Sequence, residues 1–327
     1  MILVTGATGF IGRALIRHLF ETGKQVRVLI RPSRRSPRLP KGVPVEVAVV
    51  SLSDESAIRA ALKNVDTIIH LAGAESQGRN ANLLTVDMQG TEHLARVAAE
   101  TGIERMIYVS HIGASRSSGY PVFKAKGIAE EHIRRSGVPH TIFRTSLVFG
   151  PEDHFTTALA RLLQMSPFFF SLPLSGRTVV QPLWVEDLIT VLLWSLDNNE
   201  TVNKTYEIGG SEYFTVRQIV EIIMQVTRRQ RILYELPPVL LRALIVTFET
   251  FIPNYPISSF WLDYISISRT CPVDNLPRNF GLMPARFTYR LDYLKHTAWY
   301  VTAWKDFSTR VSRTAERVLE SVRTFRP

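Results

Sequence analysis

Residues 1–12 read Met1-Ile-Leu-Val-Thr-Gly-Ala-Thr-Gly-Phe-Ile-Gly12, and this stretch decides the fold. The run from Ile2 to Thr5 is short, apolar and β-branched, as a buried strand requires. Glycines follow at positions 6, 9 and 12. Beyond them Ile11, Leu15 and Leu19 recur at the spacing of one helix face, up to Gly23 in the position of a C-terminal cap. A strand, a glycine turn and a helix in immediate succession form the context that separates a dinucleotide fingerprint from a chance match. Gly6 permits the tight turn, Gly9 lets backbone N–H groups approach a pyrophosphate, and Gly12 lets the helix pack close to the strand. The expected cofactor contacts on this turn are Gly6, Thr8, Gly9, Phe10, Ile11 and Gly12, with the positive end of the helix behind them.

Working outward, further short apolar runs lie at Gln25 to Ile30, Val45 to Val50, Thr67 to Ala72, Met106 to Ser110 and His140 to Arg144, with helical patterns between them. Strands that are apolar throughout are buried on both faces, so this alternation predicts an α/β fold with a doubly wound parallel Rossmann sheet. Ser53 reads as the N-cap of a helix, with Asp54 and Glu55 in its first turn. The dinucleotide-binding domain is expected over 1–150. A smaller, mostly helical substrate or lid region is expected over 151–327, from which the chain returns to the sheet near 205–208. Within it, Ser166 to Pro173 reads as an aromatic loop and Val185 to Leu196 as an apolar helix; Thr215 with Gln218 forms a capping box opening a helix that runs to about Arg228. Past Arg231 come Phe248, Phe251, Tyr255, Phe260, Trp261 and Tyr264. These rings either wall a pocket for an apolar small molecule or form the lid's own core.

The second strand ends at Ile30, and Arg31 follows where NAD-specific folds place a carboxylate for the ribose hydroxyls. A guanidinium there suits an adenosine 2′-phosphate, and Arg34 adds to it, so NADP(H) is expected in preference to NAD(H). The chain has 327 residues, 45% of them hydrophobic, and a formal net charge of +10. Its single cysteine, Cys271, excludes an intramolecular disulfide and a thiolate metal cluster. The sequence opens directly on the first strand, which argues against a cleavable leader, and its longest apolar stretch, Leu236 to Pro253, is broken by Arg242 and Glu249. A cytoplasmic protein is expected. The basic residues at 310, 313, 317, 323 and 326 are interleaved with Glu316 and Glu320, as on a solvated helix face, and no nucleic-acid partner is expected. Beside the lid's rings they would also suit peripheral attachment at the inner face of an anionic membrane, or docking in a protein complex.

Five segments carry a family likeness: TGATGFIG at Thr5 to Gly12, HLAGA at His70 to Ala74, YVSHIGAS at Tyr108 to Ser115, KAKGIAEEHIRRSG at Lys124 to Gly137 and FRTSLVFGPEDHF at Phe143 to Phe155. They resemble the atypical, extended short-chain dehydrogenase/reductase superfamily, within it the NmrA-like group and the nucleotide-binding accessory subunits of respiratory complex I. QPLWVEDL from Gln181 and YEIGGSEYFTVRQIV from Tyr206 extend the resemblance to about residue 230. It implies a cofactor bed also lined by Leu71, Ala72 and Gly73 after the fourth strand, Ser110 after the fifth and Thr145 after the sixth. Ser51 and Leu52 stand where the family often has Asp-Leu near the adenine.

The family's chemistry is proton transfer from a tyrosine one helical turn before a lysine. Tyr120-Pro-Val-Phe-Lys124 fits this literally. Counting back from Glu130 and Ser136-Gly137, however, puts the family's lysine on Lys126 and its tyrosine on Val122. In that register Lys126 binds the nicotinamide ribose. Pro121 argues that Tyr120 precedes the helix. The third hydroxyl of the set falls on Ile112, with Ser110 and Ser115 nearby, and His111 is either a proton carrier or structural. Two functions therefore stand: an NADP(H)-dependent reductase of an apolar small molecule, with Tyr120, Lys124 or Lys126 at its centre, and a non-catalytic NADP(H)-binding subunit for redox sensing or complex assembly. Sugar-nucleotide epimerisation ranks below both, because it wants an unambiguous Ser/Tyr/Lys set.

Overall fold

The computed structural model describes residues 1–33, 36–37, 39–74, 81–172, 176–251 and 259–295. Its centre is a seven-stranded, wholly parallel sheet of β1 (Ile2–Thr5), β2 (Val26–Ile30), β3 (Glu46–Val49), β4 (Thr67–His70), β5 (Arg105–His111), β6 (His140–Thr145) and β7 (Lys204–Ile208). The spatial order is β7-β6-β5-β4-β1-β2-β3. Strand order reverses between β1 and β4, which creates the topological switch point where α/β folds bind ligands.

Side chains alternate across the sheet, as strand geometry dictates. Ile2 and Val4 point to the layer of α1 (Phe10–Glu21) and α6 (Val185–Leu196), packing with Leu15, Leu19, Leu188 and Leu192. Leu3 points the other way, toward α2 (Glu55–Ala61), α3 (Gly90–Glu100) and α4 (Pro121–Ser136), among Ile58, Leu94, Ala98 and Ile133. Gly23, at φ +69°, lies just past the end of α1. The N-cap of α2 is Asp54 rather than Ser53: its carboxylate accepts the Ala57 N–H at 3.0 Å, while the Ser53 hydroxyl lies 2.7 Å from that of Ser51. A carboxylate is the stronger acceptor, and the Ala57 N–H, followed by the Ser56 hydroxyl, holds the Asp54 carboxyl below its ordinary pKa.

A separate core joins α5 (Thr156–Met165), α7 (Val216–Thr227), α8 (Pro238–Phe251) and α9 (Ser259–Ile265) through Leu159, Leu163, Ile219, Ile223 and Ile245. The expected capping box of α7 is formed, Thr215 and Gln218 satisfying each other's backbone N–H. The expected loop over Ser166 to Pro173 is instead partly a strand. Phe169–Leu172 pairs in parallel with Ile232–Glu235, a partner distant in sequence that local reasoning does not supply. Phe251, Tyr255 and Phe260 lie outside the described side chains, as does the whole basic stretch from 296 onward. No helix among the described residues is long and apolar enough to cross a membrane.

The middle of the sheet is stitched by polar groups. His70, fully buried, sits with Nδ1 2.6 Å from the Thr5 hydroxyl and Nε2 2.8 Å from that of Thr91, and its ring stacks on Tyr108 at 5.3 Å. A neutral ring with its proton on Nε2 satisfies both hydroxyls. Burial first, then the nearby Lys126 ammonium, pushes the imidazole down to about 3 from its ordinary 6.5. Below pH 6.5 the unfolded chain therefore binds a proton that the folded chain refuses, so this group makes stability fall as pH falls. From pH 7.5 to pH 5 the loss is about 2 kcal/mol. Urea unfolding at the two pH values should show that much greater a pH dependence in the parent than in His70→Gln; equal dependence in both would refute the assignment.

Candidate functional site

The site begins where β1 turns into α1. Gly6 adopts φ +70°, and a Cβ there would lie 2.6 Å from the Leu71 carbonyl carbon and 2.7 Å from the Ala72 nitrogen. A Cβ on Gly12 would stand 2.3 Å from the Gly6 carbonyl oxygen. Both positions therefore exclude a side chain, one because the β4 loop passes against the turn and the other because the helix packs onto it. Gly9 differs: it is exposed, it is the N-cap of α1, and a Cβ would meet only the Gly6 oxygen, at 3.1 Å. No side chain caps the first turn of α1 among the described residues, so its leading N–H groups are available to an anion at the crevice. Thr8, Phe10 and Ile11 are half-buried around this turn.

The other expected cofactor residues fall around the same end of the sheet. Leu71, Ala72 and Gly73 are half-buried beyond β4, where Ala72 donates to the Thr5 hydroxyl at 3.2 Å. Arg31 is exposed directly after β2; Arg34 lies outside the described residues. Ser51 and Leu52 follow β3, with Leu52 against Gly90 and its carbonyl 3.0 Å from His93 Nδ1. Ser110, one residue before the end of β5, and Thr145, the last of β6, have hydroxyls that point into the protein. Ser110 donates to Glu130 at 2.7 Å, and Thr145 donates to the Ser110 carbonyl at 3.2 Å. Glu130, fully buried, also accepts from Arg134 at 2.9 Å and Arg144 at 2.8 Å, and its hydrogen bond holds the Arg144 guanidinium above its ordinary pKa.

The two lysines part company on α4. Tyr120 is the N-cap, half-buried, with its ring edge-on to Phe123 at 6.3 Å; Pro121 opens the helix. Lys124 is exposed, and no side-chain contact joins it to Tyr120 among the described residues. Val122 and Lys126, one turn apart, face inward. Val122 packs with Ala74, Leu83 and Ala125. Lys126 is buried and meets the buried Asp87 at 3.1 Å, its Nζ lying 5.5 Å from the centre of the Tyr108 ring. Asp87 also accepts the Ala74 N–H at 2.9 Å, so one carboxylate ties the β4 loop, the π-helical turn Leu84–Gln89 and α4 together. Sequence reasoning missed Asp87. A lysine on the inner face of a helix demands a counter-charge, but nothing in the spacing says which acid provides it.

The second half contributes an apolar groove. Leu159, Phe170, Val220, Leu241, Phe248 and Trp261 line it, and Trp261 stacks on Phe155 at 5.6 Å. Trp261 thus belongs both to a core and to the groove wall. His111 ends β5 edge-on to Tyr264 at 5.1 Å. Cys271 is buried, its backbone N–H donating to Gln181 at 2.9 Å, and burial pushes its thiol up to about 11, which makes it unreactive.

With this geometry in view, known proteins were compared with the chain. It is 36% identical over 233 residues to the mitochondrial NADH dehydrogenase (ubiquinone) 1 alpha subcomplex subunit 9 of Arabidopsis thaliana, a match covering 69% of this chain and 57% of that protein. It is 30% identical over 195 residues to a ceramide reductase of Caulobacter vibrioides, covering 59% of this chain and 60% of that one. The matches thus span under two thirds of these relatives' lengths. A short-chain dehydrogenase/reductase superfamily protein of Agrobacterium tumefaciens, solved with bound NAD, superposes with a TM-score of 0.67 at 18% identity, covering 96% of this chain and 99% of that one. That likeness concerns the fold, and the fold is the nucleotide-binding Rossmann type. The NmrA-like family itself matches residues 1–260, which takes in the glycine turn and the Asp87–Lys126 pair, and the chain belongs to that family.

Proposed function

We propose that this protein binds NADP(H) in the crevice at the carboxyl ends of β1 and β4 and serves as a non-catalytic, redox-sensing or assembly subunit of a larger complex. The observation that carries the dinucleotide reading is the glycine turn at the switch point, open at Gly9 and closed to side chains at Gly6 and Gly12. Gly6, Thr8, Gly9, Phe10, Ile11 and Gly12 would hold the pyrophosphate, Leu71 to Gly73 the middle of the cofactor, and Ser51 and Leu52 the adenine. Arg31, which follows β2 in a stretch of sequence without Asp or Glu from 31 to 45, supports the phosphorylated form. Lys126, on the inward turn of α4 beside Asp87, is the candidate for the nicotinamide ribose.

The non-catalytic reading rests on α4. Its inward turn presents Val122, not a phenol, one turn before Lys126, while Tyr120 and Lys124 stand apart. Association with a complex is supported by the relatives' naming and by α8, whose Val239, Leu240, Leu244 and Val246 are exposed apolar side chains. Peripheral attachment to a membrane is the other use such a face allows. The alternative, reduction of an apolar small molecule, is favoured by the groove and by His111 at the end of β5. In that case bound NADPH would supply hydride, and His111 or Tyr120 would hold the proton.

Calorimetric titration should show NADPH binding about tenfold or more tighter than NADH, and Arg31→Ala should remove most of that preference. Equal affinities in the parent would reject the NADP(H) assignment. Gly9→Val should abolish binding of both. Screening with NADPH and aldehydes or ketones should show no turnover above background; turnover that Tyr120→Phe abolishes would establish the reductase reading instead.

The lysines give a second test. Lys126→Met leaves Asp87 buried without its counter-charge and should cost about 3–5 kcal/mol of stability in urea unfolding. Adding Asp87→Asn should restore part of the loss. Lys124→Ala should stay within about 0.5 kcal/mol of the parent and leave NADPH affinity unchanged. A large effect from Lys124→Ala together with a negligible one from Lys126→Met would reverse the roles given to them here.

A further inference from the structure

Arg269 is the largest fully buried side chain in the described structure. Its main chain is pinned on both sides: the N–H donates to the Val179 carbonyl at 3.1 Å, and the carbonyl accepts the Ser146 hydroxyl at 2.7 Å. Ser146 directly follows β6, so the residue is held at the carboxyl ends of the strands, where ligand crevices of such sheets lie. Its guanidinium carbon stands 3.4 Å from the centre of the Tyr264 ring and 5.8 Å from that of Phe123. His111, at the end of β5, meets the same two rings. Among the described residues, no acceptor hydrogen-bonds Nε, Nη1 or Nη2 of Arg269.

This arrangement is costly for a folded protein. A guanidinium stays charged at any physiological pH, and an interior charge without hydrogen-bonded partners destabilises by far more than a ring contact returns. The other buried cations show the usual solution: Lys126 has Asp87, and Arg105 donates to the Asn198 carbonyl and the Thr141 hydroxyl. Tyr264 covers one face of the guanidinium, whereas its N–H groups radiate in the plane, in the fork that matches a carboxylate or phosphate.

We infer that Arg269 is the anion-recognising group of a second ligand site, which takes the oxyanion head, carboxylate or phosphate, of a small organic molecule whose apolar body lies against Phe123 and Tyr264. Because Arg269 is fully buried under Tyr264, admitting the ligand requires the cover formed by the short helix α9 to shift. The site is separate from the phosphate sites of the dinucleotide and goes beyond the cofactor reading.

The test is calorimetric titration of the full chain with hexyl phosphate, hexanoate and hexanol, each with and without saturating NADPH. At least one anion should bind at least tenfold tighter than hexanol, and the tighter of the two identifies the head group. NADPH should not displace it. Arg269→Met should weaken anion binding at least tenfold, leave NADPH affinity unchanged and melt no lower than the parent, because it removes an uncompensated buried charge. The inference is overturned if neither anion binds the parent, if hexanol binds as well, or if binding survives Arg269→Met. It is equally overturned if NADPH displaces the anion, which would place that anion on the dinucleotide site. A melting point several degrees lower in Arg269→Met would make the guanidinium structural and overturn it too. Failure of NADPH itself to bind would reject the cofactor reading and leave the anion result standing on its own.

Discussion

Everything at the functional end of this protein depends on three backbone segments lying closer together than any side chain permits. The turn after β1, the start of α1 and the loop after β4 meet at Gly6 and Gly12, where an added Cβ would fall 2.3 to 2.7 Å from a backbone atom. That contact fixes the direction of α1 and therefore where its unpaired N–H groups point. It also sets the distance between β1 and β4, the two strands whose divergent crossovers open the crevice.

Around this contact, the interior polar groups serve the same end by joining segments that hydrophobic packing alone would leave free to slide. His70 bridges β1 and α3 through two hydroxyls, Asp87 holds the β4 loop to α4 through Lys126, and Glu130 gathers Ser110, Arg134 and Arg144 between α4 and the sheet. Each is directional, and each would be expensive if half-satisfied. On α4 the inward turn is thereby committed to packing and charge pairing, with Lys126 engaged by a carboxylate, Val122 in an apolar cluster and Ser110 of β5 turned toward Glu130.

The C-terminal part follows a different logic. Its core is apolar and aromatic, and its one fully buried guanidinium among the described residues lacks a hydrogen-bonded acceptor, whereas Lys126 has Asp87 and Arg105 has the Asn198 carbonyl and the Thr141 hydroxyl. Proteins tolerate such a group where it performs work that stability alone would not select. Arg269 is held at the end of β6 through Ser146, and α9, which lays the Tyr264 ring over it, also supplies Trp261 and Leu262 to the groove wall.

What the sequence determined by itself was whatever is encoded over a few residues. The glycine turn, the strands with their apolar runs and the α7 capping box all follow from local sterics and helical periodicity. Where the reading slipped locally, as at Ser53 against Asp54, two adjacent acceptors competed for one cap. Only the tertiary structure decided which distant groups meet. The pairing of Phe169–Leu172 with Ile232–Glu235, the choice of Asp87 as the partner of Lys126, the turning of Ser110 toward Glu130 and the burial of Arg269 between Phe123 and Tyr264 join residues far apart in the chain. A charged or hydroxylic side chain has the same local signature in any of these settings. Its role is fixed by which groups the packed chain brings within hydrogen-bonding distance and by how far water is kept away.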